Sequence, residues 1–197
     1  MNTELKNKKY ITTEGLEIWD KPSIATTAAI CGKDKTGNFR FIFERRGSGC
    51  PDGNGKLCFP CGYLDKGDRI VRVGAARELF EETGLKIEPI ELHPVGVSDG
   101  PDTNLGNITY RFLYYVPDGE IENIYNQLNK ESSSRGGEKD EVAEFLLLDL
   151  EDVISRDNEK EELSEFCYKH GKFTKEIVEN IDAILKNQYY SDYLTQK

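Results

Sequence analysis

The chain has 197 residues, with 36 Asp and Glu against 26 Lys and Arg and a formal charge of −10. Its 37% hydrophobic and 31% charged content describes a globular protein rather than a disordered one, and the acidic balance excludes a coat for duplex nucleic acid, which needs a positive field. No apolar run reaches the roughly 18 residues of a membrane span, no secretory signal opens the chain, and an odd set of five cysteines points to a reducing cytoplasm rather than a disulfide framework.

Residues 1–22 are polar and poorly periodic, with Trp19 as their one large anchor, and read as an extension ahead of a domain over 23–197. From Ser23 the pattern changes. SIATTAAIC is rich in β-branched and small residues, FRFIFER alternates, and DKTGN between them predicts a hairpin. RGSGCPDGNG reads as a glycine-rich loop and KLCFPCGYLD as a short extended segment. From Ile70 to Thr83 the period becomes helical, with Val73, Ala76, Phe80 and Thr83 on the expected apolar face and Gly84 as the stop. LKIEPIELHPVGV and NITYRFLYYVP predict strands. EIENIYNQLNK predicts a helix burying Ile121, Ile124, Tyr125 and Leu128, and VAEFLLLDL a buried strand.

The C-terminal residues read as helical. Asn158 and Glu161 predict a capping box ahead of Leu163, Phe166, Cys167 and His170. Thr174 is the expected cap of a last helix, with Phe173 and Val178 as a staple and Ile177, Ile181, Ile184 and Leu185 as its stripe. Strands and helices are interspersed and hairpin signals recur, so the class is α+β with a partly antiparallel sheet.

The sharpest chemistry lies in ARELFEETGL, residues 76–85. On a helix, Glu78, Glu81 and Glu82 fall on one face, roughly 5–6 Å apart at Cβ. As surface carboxylates they repel by about a few tenths of a kcal/mol per pair. As a convergent set they form a hard oxygen site of the kind Mg²⁺ or Mn²⁺ prefers. Upstream, PCGYLDKGD puts Gly62 and Gly67 in the strand and loop that lead into this helix, where glycine lets backbone approach a ligand.

Together, GYLDKGD and RELFEETGL resemble the Nudix box, whose pattern is G-x5-E-x7-R-E-U-x-E-E-x-G-U with U aliphatic. Gly62 matches the opening glycine and residues 77–85 match the whole second half; the first glutamate falls on Asp68, with eight residues rather than seven before Arg77. The resemblance implies a Nudix α/β/α sandwich with a mixed sheet and a helical C-terminal extension. It also implies hydrolysis of a nucleoside diphosphate linked to another moiety, with Mg²⁺ or Mn²⁺ as cofactor. Metal ligands carry over to Glu78, Glu81, Glu82 and the Gly62 carbonyl, and Arg77 carries over as the residue that orients a catalytic glutamate. A further catalytic glutamate from outside the box falls on GGEKDEVAEF, first on Glu141 and then on Glu138. The implied partner is a small nucleotide-type substrate, with no nucleic acid or membrane, and a homodimer is common among relatives. Pro101 stands at a spacing past the box seen in some ADP-ribose pyrophosphatases, though its surroundings differ from theirs.

Three other features are weighed beside the box. Arg45 and Arg46 end a strand ahead of the glycine-rich loop, where arginine forks onto phosphate. Phe59 borders the box as a base-stacking candidate, against the plainer reading of core packing. Cys58 and Cys61 form a CxxC with Cys50 upstream, but zinc wants four ligands and no second pair is present. Against the hydrolase stand a zinc-binding scaffold on these cysteines and a nucleotide sensor of the same fold, which would be expected to have lost its box glutamates.

Overall fold

The computed structural model describes residues 9–11, 13, 17–19, 23–65, 67–98, 108–131, 141–160 and 162–186. Glu138, Asp140, Glu161 and Pro101 lie outside them. Near the N-terminus β1 (Lys9–Ile11) and β2 (Glu17–Trp19) pair antiparallel, so the segment read as unpatterned carries a small hairpin of its own.

The main sheet is mixed. Long β3 (Ile24–Lys33) and β4 (Phe39–Arg46) form the predicted hairpin. Its turn is held by Asp34, whose Oδ1 accepts from the Thr36 and Asn38 amides at 2.9 and 3.0 Å. β8 (Ile108–Val116) runs parallel to β3 along its length, and β7 (Leu92–Ser98) pairs antiparallel with β8. The half of LKIEPIELHPVGV before Leu92 is not strand; Pro89 opens a short 3₁₀ turn, Pro89–Glu91.

β3 and β4 pair only from Ile30 to Lys33 and Phe39 to Ile42. Beyond that they part, and the segment read as one extended stretch divides to fill the gap. β5 (Leu57–Cys58) joins β4 opposite Arg45 and Glu44, while β6 (Cys61–Tyr63) joins β3 opposite Thr27 to Ala25. Phe59 and Pro60 make the crossing, tied down by the Ala28 amide donating to the Pro60 carbonyl at 2.9 Å. β9 (Val142–Asp149) covers the other edge of β4.

Alternation along the strands sends side chains to opposite faces. Ala28, Ile30, Ile42, Phe112 and Phe145 pack with α1 (Val71–Thr83) and α2 (Ile121–Glu131). Ala29, Cys31, Phe41, Phe43 and Leu113 pack with α4 (His170–Lys186). The result is three layers, α/β/α. Among the described residues, no helix is long and apolar enough to cross a membrane.

Three helix expectations need correction. α1 ends as read, Gly84 taking φ 76° and donating to the Phe80 carbonyl. Its buried stripe, however, is Arg72, Ala75, Ala76, Leu79, Glu82 and Thr83, while Val73 and Phe80 are exposed. Asp149 ends β9 and caps an unanticipated short helix, α3 (Leu150–Arg156), its Oδ1 accepting the Asp152 amide at 2.8 Å. Residues 163–169 are turns, not helix. Phe166 pairs with Leu57 as an isolated bridge, because this segment shields the open edge of β5. The last helix therefore starts at His170, and Thr174 sits inside it with its hydroxyl donating to the His170 carbonyl.

His170 is fully enclosed. Its Nδ1 accepts the Phe59 amide at 2.9 Å, and burial, with Arg111 and Arg46 beside it, lowers its pKa to about 3. The unfolded chain takes up this proton near pH 6.5 and the folded chain only near pH 3, so folding stability falls as pH drops through that window. Unfolding free energies measured by urea across it should decline by about 1.4 kcal/mol per pH unit from this group. His170→Asn should flatten that slope; an unchanged slope in the variant removes His170 as its source.

Candidate active site

The acidic face of α1 meets the sheet at β6. Gly62 lies directly against Glu78: a Cβ added there would stand 2.4 Å from the carboxyl carbon. Only glycine admits the carboxylate at this distance. One residue earlier, the Cys61 amide donates to Glu82 Oε2 at 2.8 Å. These two contacts lash the helix to the strand that fills the sheet's split.

Arg77 organises the rest. Its Nε and Nη2 donate to Asp68 Oδ2 at 3.1 and 2.8 Å, and Nη2 also reaches the Tyr63 carbonyl at 3.0 Å. Its Nη1 holds Glu81 Oε2 at 2.6 Å and Glu78 Oε1 at 2.9 Å. Asp68 thus serves Arg77 despite the extra residue before the helix, and the guanidinium keeps its carboxyl below the usual carboxylate range. Gly74 makes room for that longer loop, since a Cβ there would fall 2.3 Å from Leu64 Cδ2 and 3.0 Å from Asp68 Oδ2. Lysine cannot fork across Asp68, Glu81 and a carbonyl at once. Arg77→Lys is therefore expected to lower unfolding free energy by about 1–2 kcal/mol in a urea titration; an unchanged midpoint would show that the clamp is not structural.

The three box glutamates differ. Glu81 is exposed, Glu78 half-buried, and Glu82 buried, not on the surface as read. Burial first, then the neighbouring carboxylate of Glu44, pushes the Glu82 carboxyl well above its usual value. Glu44 was missed. It is 1% exposed on β4 and accepts the Cys58 thiol at 3.2 Å. The available signal was its phase, because Glu44 follows Ile42 at period two on the inward face of FRFIFER.

Among the described residues, no three His, Cys, Asp or Glu side chains sit close enough together to hold a metal ion as they stand. Glu78 and Glu81 are turned to Arg77 and Glu82 to the Cys61 amide. The donor chemistry nonetheless fits a hard divalent cation. All the donors are carboxylate oxygens, Gly62 leaves space for one of them, and two buried acids repel in a way a cation relieves. Cys50, Cys58 and Cys61 do not form the zinc site weighed above; the Cys50 thiol donates to the Glu141 carbonyl at 3.2 Å instead.

The other expected site residues are spread around the glycine-rich loop. Arg45 bonds Glu144 at 2.6 Å and the Gly55 carbonyl at 2.8 Å. Arg46 is buried, donating to the Asp52 carbonyl and carboxylate at 3.0 and 3.2 Å, with its guanidinium 5.4 Å from the Tyr168 ring centre. Glu141 receives the Gly47 amide on its carbonyl at 2.6 Å, which ties the start of β9 to this loop. Phe59 presents no free face for a base. It is wholly buried, stacked on Phe43 at 4.2 Å and edge-on to Phe173, so core packing is its role.

A family model, the NUDIX domain, matches residues 22–168, and the chain belongs to that family. Solved structures agree in fold. A mutT/nudix family protein from Listeria innocua superposes with a TM-score of 0.57 at 21% identity, covering 83% of this chain and 96% of its own. The NUDIX domain of Shewanella oneidensis NrtR, complexed with ADP ribose, gives 0.57 at 12% identity over 86% and 93%. A bifunctional NMN adenylyltransferase/ADP ribose pyrophosphatase from Francisella tularensis, complexed with AMP and a manganese ion, gives 0.56 at 16% identity over 81% and 42%. No curated protein matches the sequence.

Proposed function

We propose that the protein is a cytoplasmic Mg²⁺- or Mn²⁺-dependent pyrophosphohydrolase that cleaves a nucleoside diphosphate linked to another moiety. One observation carries the reading: α1 presents Glu78, Glu81 and Glu82 on a helix clamped by Arg77, with Glu82 buried against Glu44. A buried acid held above its usual pKa beside a second carboxylate is poor design for stability and good design for chemistry.

Glu78 and Glu82, with Glu81, are the residues that would hold the cation. The cation supplies positive charge to a pyrophosphate and lowers the pKa of bound water. The protein's own part is placement. Gly62 and Cys61 fix where Glu78 and Glu82 stand relative to the strand. Arg77 holds Glu78 and Glu81 in line when no cation competes for them. Glu44 and Glu141 are the two acids outside the box to weigh as base, and Glu44 has the closer tie to Glu82. The reaction needs no covalent intermediate, and its acceleration comes from electrostatics and positioning.

Two structural neighbours are described with ADP ribose or as an ADP ribose pyrophosphatase, which puts that compound first in a panel. Nucleotide sugars, dinucleotides and nucleoside triphosphates complete it. The expected result is release of a nucleoside monophosphate, read as phosphate after phosphatase coupling, with Mg²⁺ or Mn²⁺ and not with chelator. Tight binding of one compound without turnover under either metal would favour the sensor reading instead.

A further inference from the structure

The two thiols of the CxxC play no part in the reaction above, yet they occupy the crossing point of the sheet. Cys58 belongs to β5, paired with β4 opposite Glu44. Cys61 belongs to β6, paired with β3 opposite Thr27. Only Phe59 and Pro60 separate them, and the two thiols lie close enough to interact. We propose that Cys58 and Cys61 are a thiol-modification site, closing into a reversible disulfide that bridges the split between β3 and β4 and thereby switches the acidic site on α1.

The surroundings divide the roles of the two sulfurs. Cys61 is partly exposed and Cys58 fully buried, so an oxidant meets Cys61 first. The Arg46 guanidinium reaches to 3.9 Å from the Cys58 sulfur, while burial first of all holds the Cys58 thiol well above its usual value, so Cys58 reacts only when its proton is taken from it. Glu44 already accepts the Cys58 S–H at 3.2 Å and is placed to take its proton.

With glutathione disulfide as oxidant the step balances. The Cys61 thiolate attacks one glutathione sulfur, the glutathione S–S bond breaks, and a glutathione thiolate leaves and takes up the proton that Cys61 lost. Cys58 then gives its proton to Glu44, and its sulfur attacks the Cys61 sulfur. The protein S–S bond forms as the second glutathione leaves and is protonated. The two protein thiols lose two electrons, and glutathione disulfide gains them.

The link to the site runs through the backbone of Cys61 and Gly62. Drawing the Cys61 sulfur into a covalent bond pulls on the residue whose amide holds Glu82 at 2.8 Å. The next residue is the glycine that admits Glu78 with no room to spare. A shift that misplaces both carboxylates costs about tenfold or more in rate. The disulfide itself does not depend on the proposed reaction; only its effect on turnover rests on that reading.

The test treats the full chain with excess glutathione disulfide, alkylates free thiols, and maps tryptic peptides. Residues 57–66 fall in one peptide holding both cysteines, whereas Cys50 and Cys167 fall in others. The expected result is that this peptide becomes lighter by two hydrogens and takes up no alkylating agent. Dithiothreitol should reverse the change, and turnover should follow it with a fall of about tenfold or more. Cys58→Ser should hold its ratio of oxidised to reduced activity near one, and Cys61→Ser, which keeps the amide to Glu82, serves if Cys58→Ser does not fold. Two alkylatable thiols in that peptide after oxidation, or a bond from Cys61 to Cys167, overturns the site. A disulfide that forms without changing turnover overturns the switch. If no substrate is turned over in either state, the peptide map still decides the site while the proposed reaction fails.

Discussion

Glu82→Gln is expected to lower turnover by about 100-fold or more while leaving the folded chain at least as stable as before. The two halves of this result have one cause. Glu82 is 9% exposed, and burial together with Glu44 makes its ionised form costly. A glutamine keeps the carbonyl oxygen that accepts the Cys61 amide, removes the charge, and offers an N–H to neighbouring acids. Loss of buried like-charge repulsion stabilises by about 1 kcal/mol. Activity falls because a neutral amide is a poor ligand for a hard cation. The measurement is kcat with saturating Mg²⁺ beside urea unfolding without metal. Near-native turnover in the variant would remove Glu82 from the chemistry, and a large loss of stability would show that its charge has a partner of structural importance.

Much of the fold is legible because periodicity is strong where the core is. The β3–β4 hairpin, β8, α2 and the Ile177–Ile184 stripe of α4 all follow from spacing alone. The misses share a physical origin. Residues 163–169 have helical spacing, but Phe166 is drawn into a bridge with Leu57 because an open strand edge had to be covered. No local pattern reports that distant need. α3 starts on the last residue of an apolar run that is otherwise strand, and only Asp149, capping at the junction, marks the change.

The site was legible in part for the same reason. The box itself is contiguous, so the resemblance to the family pattern is enough to propose Gly62, Arg77 and the three glutamates as site residues. The division of labour among those glutamates could not. Which face of α1 is buried decides it, and Val73 and Phe80 pointed to the wrong face, because Glu82 occupies a position in the stripe that apolar counting assigns to a hydrophobe. Glu44 comes from another strand, and its encounter with Glu82 depends on the parting of β3 and β4. Asp68 is shorter than the glutamate of the pattern and one residue out of step with it, yet Arg77 is long enough to find it across the inserted residue.

Gly62→Ala offers the most direct test of whether this geometry is the working one. The added methyl would meet the Glu78 carboxyl carbon at 2.4 Å, so something must yield. The atom it meets is the end of a flexible side chain, which can swing aside, so the cost to folding should be about 1 kcal/mol or less. Swinging aside, however, takes a proposed cation ligand out of place, and a displacement of that size costs about 100-fold in rate. Stability should therefore survive while turnover does not. Gly67 provides the contrast within the same box: nothing lies within 4 Å of a Cβ built there, so Gly67→Ala should leave both nearly unchanged. A Gly62→Ala enzyme as active as wild type would mean that Glu78 works from some position other than against β6. Restored activity in Gly62→Ala with Glu78→Asp, whose shorter arm clears the methyl, would instead confirm that close approach is what the glycine provides.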